Sequence, residues 1–167
     1  MDNADFSEAI SSLHSTIYRV AYSYTRNYAD AEEITQEAFL KLYLCEKVFS
    51  SKGDMKAWLI RITINLSVSL LRSGWRKRRA ELPEKEIPAP ESNKIDSDDL
   101  RELVVKLTPE QMTAVYLHYY EGYSLKEIGK MCGTTAASVS MRLARARARL
   151  KTMLTEDDYE CKIKKGF

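Results

Sequence analysis

A row of basic residues near the end of the chain has the spacing to bind a polyanion. One polar and three cationic side chains recur at intervals of three or four residues: Ser138, Arg142, Arg145 and Arg149. An apolar row at the same spacing starts one residue later, at Val139, and ends at Leu150. Successive residues of a helix are rotated by roughly 100°, so this helix would bury one face and present a basic one. Since no acidic residue occurs between Thr134 and Leu154, we expect the basic face to bind nucleic acid.

The residues before this helix predict a shorter helix and a tight turn. Ser124 and Glu127 fit a capping box, in which each side chain accepts the backbone N–H of the other residue. Gly129 leaves room for two helices to cross closely, and Gly133 can adopt the left-handed conformation that ends a helix. With the basic helix, these features predict a helix-turn-helix, which places its second helix in the DNA major groove. The alternative is a basic helix that is merely exposed to solvent.

Side chains near the start of the second helix are best placed to contact bases. We expect Ser138 and Arg142 to reach base edges, while the other arginines of the row contact phosphates. Three further polar residues surround the start of this helix and are candidates for the same duplex: Thr134, Thr135 and Ser140.

A second basic cluster, Arg72–Arg79, lies in the first half of the chain and contains Trp75 among five cationic residues. An indole ring can stack on bases, so the cluster suits single-stranded nucleic acid. Cations also favour helix carboxyl termini through the helix dipole, so a solvated helix end is an equally good interpretation. Asn65, in the middle of an otherwise apolar helix, either satisfies a neighbouring backbone group or reaches a ligand.

The distribution of charge and proline divides the chain into two domains. The 167 residues carry a formal net charge of +2 and are 44% hydrophobic, with few glycines and prolines, which favours an all-α fold with packed cores. Residues 80–97 are acidic and contain three prolines, which block a continuous helix. We therefore predict two small helical domains, residues 6–79 and 98–155, joined by a flexible linker. A charged, frayed tail should follow over residues 156–167.

Local signals set the expected helices of the first domain. Asp30 and Glu33 fit a capping box that opens a helix over Ala31–Lys47. The segment Phe49–Asp54 is predicted to be a loop, and a long helix should follow over about Met55–Arg78. Its expected core row consists of large apolar residues: Trp58, Leu59, Ile62, Leu66 and Leu70.

The second domain contains a further helix with clear end signals. Thr108 and Gln111 fit a capping box around Pro109, since proline is favoured at the first helical position. The helix should run to about Glu121, and Gly122 should end it.

Catalytic, metal and cofactor chemistry lack support in the sequence. His14 and His118 lie in separate predicted domains, and no phosphate-binding loop or nucleophile motif occurs. Three widely spaced cysteines form neither a disulfide framework nor a metal-ligand cluster. No apolar stretch has the length of a membrane span, and the chain does not start with a secretory signal. We expect a cytoplasmic, non-enzymatic protein without metal, cofactor or small-molecule substrate.

Taken together, the motifs in this order resemble an extracytoplasmic-function (ECF) sigma factor of bacterial RNA polymerase, in the sigma-70 superfamily. The resemblance covers about residues 12–154, and its most specific parts are Asp30–Phe39 and Ser138–Leu150. It implies that residues 12–78 form sigma region 2 and residues 100–154 form sigma region 4. Such a protein directs promoter-specific transcription initiation. Region 4 recognises the −35 element as duplex, and region 2 captures the −10 element as a melted strand, with a flipped base in a pocket of its loop.

The resemblance also assigns roles to residues at matching positions. For binding the coiled coil of the polymerase β′ subunit, it implies Asp30, Glu33, Gln36, Glu37, Phe39 and Leu40. For binding the −10 element, it implies Ser50, Lys52, Arg61, Asn65, Arg72, Trp75 and Arg76. For binding the −35 element, it implies the seven residues named above in the basic helix and just before it: Thr134, Thr135, Ser138, Ser140, Arg142, Arg145 and Arg149. Region 4 would also touch the β flap, and an anti-sigma factor is a further partner of many such proteins.

Departures from the family pattern leave the promoter sequence open. Ser69 stands where many members have Asp, and Thr134–Ala137 is a version of the recognition-helix start particular to this chain. One alternative is an autonomous helix-turn-helix repressor or activator, which binds DNA without polymerase. Another is a nucleic-acid enzyme that uses the basic surface as a channel.

Overall fold

The computed structural model describes residues 3–73 and 106–164, and side chains over residues 5–73 and 106–153. Every regular element in the described ranges is helical, which confirms the predicted all-α fold. None of these helices combines the length and the apolar character that crossing a lipid bilayer requires.

The chain divides into two compact units, Met1–Ser92 and Asn93–Phe167. The division falls inside the predicted acidic linker, residues 80–97, which lies outside the described residues. Trp75 and Arg76, two of the predicted contacts with the −10 element, also lie outside them.

Within its described residues, the first unit contains three helices: α1 (Asn3–Thr25), α2 (Tyr28–Tyr43) and α3 (Lys52–Arg72). Each helix packs against the other two. Large apolar side chains that are shielded from solvent fill the centre of this bundle: Ile17, Val20, Leu42, Leu59 and Ile60. Burial of one such side chain contributes about 1.5–3 kcal/mol, so apolar packing is the main interaction that holds the three helices together.

The second helix begins earlier than the sequence predicted. Asn27 is its N-cap, with an extended backbone and a side chain that accepts the N–H of Asp30 at 2.9 Å. Asp30 therefore lies in the first turn, and its side chain is buried. The predicted capping box of Asp30 and Glu33 is wrong, because Asn27, three residues before Asp30, caps the helix instead. The helix ends at Tyr43 rather than at Lys47.

The third helix also begins and ends earlier than predicted. Ser51 is the N-cap, and its hydroxyl accepts the N–H of Asp54 at 3.0 Å. The predicted loop therefore ends at Ser51, and the helix contains the first turn that the sequence had assigned to the loop. Ser73 is the C-cap, so the helix ends at Arg72 rather than at Arg78.

The buried face of α3 is displaced from the predicted one. Five residues of α3 are shielded from solvent: Leu59, Ile60, Thr63, Ile64 and Ser67. Leu59 was predicted to be in the core row, but the other predicted members are only half-buried. Thr63 and Ser67 tolerate burial because their hydroxyls donate to the carbonyls of Leu59 and Thr63, each at 2.8 Å.

The second unit contains α4 (Pro109–Val115), α5 (Leu125–Cys132) and α6 (Ala136–Lys164). The predicted capping box at the start of α4 is confirmed. The Thr108 hydroxyl accepts the N–H of Gln111 at 3.3 Å, and the Gln111 side chain accepts the N–H of Thr108 at 3.2 Å. Both α4 and α5 pack against α6, which is therefore the central helix among the described residues of this unit.

A π-helical turn, Tyr116–Tyr120, continues α4 and was not predicted from the sequence. The N–H of Glu121 donates to the carbonyl of Tyr116 at 3.2 Å, so this hydrogen bond spans one residue more than an α-helical bond. Gly122 then adopts a φ of 75°, and the predicted end of the helix at this glycine is confirmed. Tyr119 and Tyr120, within this turn, are about half exposed.

The last helix, α6, is longer than the sequence predicted. It extends to Lys164, so the prediction of a frayed tail from residue 156 is wrong over residues 156–164. These residues contain no glycine or proline that would end the helix. The predicted apolar row of α6 is confirmed at its first three positions, from Val139 to Ala146, whereas Leu150 is half-buried.

Candidate nucleic-acid and protein interfaces

The basic face of α6 has the form that the sequence predicted. The apolar row that starts at Val139 is buried, which fixes the rotation of the helix about its axis. Arg145 and Arg149 are exposed beside it, and Ser138 and Arg142 are half-buried at its margin. The arrangement presents three arginine side chains along one flank of the helix, roughly 100° around the axis from the buried row, where they can contact phosphates.

The turn between α5 and α6 sets the start of the basic helix. Gly133 ends α5 in the left-handed conformation, with a φ of 65°, as predicted. The N–H of Thr134 donates to the carbonyl of Gly129 at 2.8 Å, and the Thr135 hydroxyl accepts the N–H of Ser138 at 3.1 Å. Thr135 therefore has a structural role as a cap of α6. It is also exposed, so its predicted contact with DNA remains compatible with its position.

The predicted capping box at the start of α5 is confirmed. The hydroxyl of Ser124 accepts the N–H of Glu127 at 3.2 Å, and Glu127 Oε2 accepts the N–H of Ser124 at 2.8 Å. Hydrogen bonds from the backbone and hydroxyl of Ser124 lower the pKa of the Glu127 carboxyl below its ordinary value, because they favour the charged form. The box thus defines where α5 begins relative to α6.

Four exposed polar residues in the second half of α3 share one face of the helix. Arg61, Asn65, Ser69 and Arg72 are exposed, and they lie within roughly 80° of one another around the helix axis. Asn65 is thus on the solvent side of α3 rather than in the bundle, which favours the ligand-binding interpretation of this residue. Two guanidinium groups and an amide on one face are suited to contact phosphates and base edges.

The structure does not bring Lys52 to this polar face. Lys52 forms an ion pair with Glu8 of α1, and the hydrogen bond to the Glu8 carboxylate raises the pKa of the Lys52 ammonium. Lys52 precedes Arg61 by nine residues, so it lies roughly 180° away around α3. The predicted set for the −10 element is therefore split, with Arg61, Asn65 and Arg72 on one side and Lys52 on the other.

A cavity of about 470 Å³ lies beside the loop between α2 and α3. Its walls come from the first half of α1, the end of α2, the loop itself and the start of α3, including Phe49 and Lys52. The volume lies in the range of ligand pockets, about 300–1,000 Å³. Ser50 is outside this wall, and its hydroxyl donates to the Asp54 carboxylate at 3.1 Å. Asn65 is also outside it, so the cavity and the polar face of α3 are separate features.

The predicted protein-binding residues of α2 divide between its two faces. Four of the six are exposed on one side of the helix: Glu33, Gln36, Glu37 and Leu40. Asp30 and Phe39 are buried, with 4% and 5% of their surfaces exposed. A partner that binds α2 would contact the exposed group, while Asp30 and Phe39 support that surface from inside the bundle.

An apolar continuation of the α2 surface was missed from the sequence. Tyr43, Leu44 and Val48 are 52%, 68% and 90% exposed. Leu40, Tyr43 and Leu44 follow at intervals of three and one, so they lie on one side of the last turn of α2. That spacing was a usable signal, but the helix was expected to continue to Lys47. Grouped exposed apolar side chains mark a surface for protein contact.

A ladder of aromatic rings ties α1 to α2 beneath this surface. His14, Tyr18 and Tyr22 lie one turn apart on α1, with ring centroids 6.3 Å apart at each step and nearly parallel planes. Phe39 stacks on His14 at 6.4 Å, and Tyr28 stacks on Tyr22 at 5.0 Å. Burial raises the pKa of Tyr18 to about 12, so its phenol stays neutral at physiological pH. Phe39 is therefore a packing residue of this ladder.

Among the residues that the structure describes, no cluster of His, Cys, Asp and Glu side chains could hold a metal ion. Both histidines have local partners. His14 Nε2 lies 3.8 Å from a carboxylate oxygen of Glu32, and His118 Nδ1 hydrogen-bonds with the carbonyl of Tyr123 at 2.9 Å.

Comparison with known protein families matches both units. The family model for sigma-70 region 2 matches residues 9–77, which contain α2, α3 and most of α1. The family model for sigma-70 region 4 matches residues 97–150, which contain α4, α5 and the first half of α6.

Two curated relatives illustrate the similarity in sequence. The ECF RNA polymerase sigma factor SigE of Mycolicibacterium smegmatis is 35% identical over 153 residues, which cover 86% of this chain and 59% of that protein. The RNA polymerase sigma factor SigV of Bacillus subtilis is 28% identical over 144 residues, which cover 84% of this chain and 86% of SigV. The chain thus spans little more than half the length of SigE and most of SigV.

Two solved structures share the fold. The sigma factor RpoE of Bartonella quintana, solved in complex with the anti-sigma factor NepR, matches with a TM-score of 0.72 and 24% identity. That match covers 90% of this chain and 97% of RpoE. CnrH, solved with the cytosolic domain of CnrY, matches with a TM-score of 0.64 and 21% identity, covering 93% of this chain and 91% of CnrH. At these identities the likeness is one of fold.

Proposed function

This chain belongs to the ECF sigma factors of the sigma-70 family, a non-enzymatic family of transcription initiation factors, and from this premise we propose how its two units act. The family predicted from Asp30–Phe39 and Ser138–Leu150 is thereby confirmed. We propose that the chain binds core RNA polymerase and confers promoter specificity through two DNA-binding surfaces. The observation that carries the proposal is the presence, in units matching regions 4 and 2, of the basic face of α6 and the polar face of α3.

Region 4 binds the −35 element as duplex, with α6 in the major groove. The support is the anchored orientation of α6, which keeps Arg142, Arg145 and Arg149 on one side of the helix. Ser138 and Arg142, in the first two turns, reach base edges, and the arginines further along contact phosphates. Thr134, Thr135 and Ser140 complete the set of candidate contacts around the start of the helix.

Region 2 binds the −10 element as a melted strand, through the polar face of α3. Arg61, Asn65 and Arg72 support this role because they are exposed on one side of the helix. Removing a base from the stack costs a few kcal/mol, which binding energy from this face and from a pocket must offset. The loop between α2 and α3 is the candidate source of that pocket. A surface that binds the unpaired strand more tightly than duplex shifts the equilibrium toward the melted promoter.

Binding to polymerase uses the exposed side of α2. We assign contact with the β′ coiled coil to Glu33, Gln36, Glu37 and Leu40, with Tyr43 and Leu44 extending the surface. Region 4 contacts the β flap. When both units are held on one polymerase, binding of one promoter element raises the effective concentration of the other unit at its own element.

Further partners and the site of action follow from the same proposal. Bacterial RNA polymerase transcribes in the cytoplasm, which we propose as the location of this chain. Because similar folds were solved with the anti-sigma factor NepR and with the cytosolic domain of CnrY, we propose an anti-sigma factor as a further partner of this chain.

The decisive experiment is run-off transcription with bacterial core polymerase on a template library with randomised −35 and −10 windows. We expect the chain to enrich one pair of sequence elements among the transcripts, whereas core polymerase alone enriches none. Failure of the chain to bind core polymerase, or transcription without selectivity, would refute the proposal. Selective DNA binding in the absence of polymerase would instead support an autonomous repressor or activator.

A variant of α6 tests the assignment of region 4. Arg142→Ala should reduce transcription from the selected promoter by weakening use of the upstream element. Lys130→Ala is the matched control, because it removes one exposed cation from α5 outside the basic face. Equal activity of the two variants would show that the basic face of α6 does not read the promoter.

A further inference from the structure

The side of α6 that faces away from the core carries an apolar residue with no assigned role. Met141 is 54% exposed, and among the described side chains of α6 it is the one large apolar residue that is more than half exposed. It lies roughly 160° from the buried Val139 around the helix axis. A single exposed methionine is not unusual on a protein surface, so its neighbours decide its meaning.

Basic side chains flank Met141 on both sides. The basic row of α6 runs along one side, and Arg147 and Lys151 are exposed along the other. The Nη1 group of Arg147 donates to the phenol oxygen of Tyr119 at 3.1 Å, which positions its guanidinium on this flank. No acidic residue occurs in α6 before Glu156. The surface therefore complements a ligand with two lines of negative charge and an apolar feature between them.

The major groove of duplex DNA has this arrangement. Its walls are lined by phosphates, it is about 12 Å wide, and thymine displays a 5-methyl group on its floor. Met141 lies in the second turn of α6, and the first turns of a recognition helix are the ones that contact bases. Two of its neighbours one turn away, Ala137 and Ala144, are exposed and small, so on that side nothing bulky holds Met141 away from the groove floor.

We propose that Met141 is a specificity-determining residue of this chain, whose side chain packs on the 5-methyl group of a thymine in the −35 element. The proposal rests on the proposed function, since it takes binding of the −35 duplex by region 4 as given. It adds an apolar contact to the polar base contacts assigned to Ser138 and Arg142. The flexible thioether can adapt to the groove floor. Loss of one buried methyl contact weakens binding roughly fourfold, from about 0.8 kcal/mol per buried carbon.

The test removes the methyl group from the DNA and then the side chain from the protein. The full chain with core polymerase first selects a promoter from a library with a randomised −35 window. Each thymine of the selected window is then replaced singly by deoxyuridine, which keeps base pairing and lacks only the methyl group. We expect replacement at one thymine to lower promoter binding roughly fourfold for the unmodified chain. Met141→Ala should bind the thymine and deoxyuridine promoters equally, and Met141→Leu should retain a preference for thymine.

The outcomes separate this proposal from the function on which it rests. Absence of any selected promoter refutes the proposed function. A selected −35 window in which no thymine responds to deoxyuridine, or a Met141→Ala variant that keeps the full response, overturns the role of Met141 alone. A Met141→Ala variant that loses affinity for core polymerase while still discriminating the methyl group would place a protein, rather than DNA, on this side of α6, and would equally overturn the proposal.

Discussion

Gly129 and Thr134 approach each other across the turn that joins α5 to α6. The N–H of Thr134 donates to the carbonyl of Gly129 at 2.8 Å. A β-carbon at residue 129 would lie 2.9 Å from the carbonyl oxygen of Thr134 and 3.2 Å from the carbonyl carbon of Thr135. Since the opposing atoms belong to the backbone, no side-chain rotation could relieve this contact. The angle between the two helices of the helix-turn-helix therefore depends on a hydrogen atom in place of a side chain at residue 129.

Replacement of Gly129 by Ala should destabilise the second unit. The backbone of the turn would have to move, and overpacking of this kind costs about 1–3 kcal/mol. Hydrogen exchange at the amides of α5 and α6 provides the measurement, because it reports the second unit separately from the first. We expect faster exchange there and weaker use of the −35 element. Gly53→Ala is the control, since its β-carbon would meet only the Ser51 hydroxyl oxygen at an ordinary 3.6 Å. Unchanged exchange in Gly129→Ala would contradict the close approach.

Replacement of Asn27 by Ala should destabilise the first unit by about 1 kcal/mol, as loss of an N-cap does. The Asn27 side chain accepts the N–H of Asp30, and alanine offers no acceptor. Urea unfolding followed by Trp fluorescence measures the effect. Asn27→Ser should remain close to the original stability because serine is also a good cap. A result in which Ala and Ser at residue 27 are equally stable would show that the cap lies elsewhere.

Replacement of Glu127 by Gln should change stability in a pH-dependent manner. The pKa of Glu127 is lowered in the folded chain, so the contribution of its charge is complete above its ordinary pKa of 4.5. That contribution disappears as the pH falls through the lower folded-state pKa, where the carboxyl becomes protonated. We therefore expect the original chain to be more stable than Glu127→Gln at pH 7 and the two to converge in acid. Urea unfolding followed by circular dichroism across this pH range provides the measurement.

The matched control for this series is Glu110→Gln, which removes one acid from the first turn of α4 without touching a capping box. It measures the general effect of losing one negative charge from the second unit. If Glu127→Gln and Glu110→Gln follow the same curve at every pH, the capping box does not account for the behaviour of Glu127.

Replacement of Asn65 by Ala should impair promoter opening more than replacement of Lys52 by Ala. Asn65 lies on the exposed polar face of α3, whereas Lys52 forms an ion pair with Glu8 on the opposite side. Loss of one specific contact of about 1.4 kcal/mol lowers affinity about tenfold. Open-complex formation on the selected promoter, followed by permanganate reactivity of the melted strand, is the measurement. An equal or larger defect in Lys52→Ala would move the strand-binding surface to the other side of α3.

Much of the second unit followed from the sequence, because its signals are local. The capping boxes of Thr108 with Gln111 and of Ser124 with Glu127 join residues three positions apart, so they form wherever a helix starts there. Gly133 is suited to the left-handed conformation that ends α5. The basic face of α6 followed from its apolar row for the same reason, since burial of one side of a helix fixes where the other side lies.

The first unit required tertiary information at the points where local signals compete. Asn27 and Asp30 are both good caps three residues apart, and the choice between them follows from which side of α2 the bundle buries. The buried face of α3 includes Thr63 and Ser67, because hydroxyls bonded to their own helix can replace apolar groups against α1 and α2. Apolar spacing alone marks only Leu59, Ile60 and Ile64 on that face, and it does not indicate the two hydroxyl residues.

By itself the sequence determined the helical class, the helix-turn-helix and the family, since these depend on spacing within one helix or turn. Only the tertiary structure decided which members of each predicted interface lie together. It buried Phe39 under the α2 surface, paired Lys52 with Glu8 forty-four residues away, and exposed Met141 between two basic flanks. The physical reason is that exposure and charge pairing depend on which helices pack together, and that packing joins residues far apart in the chain.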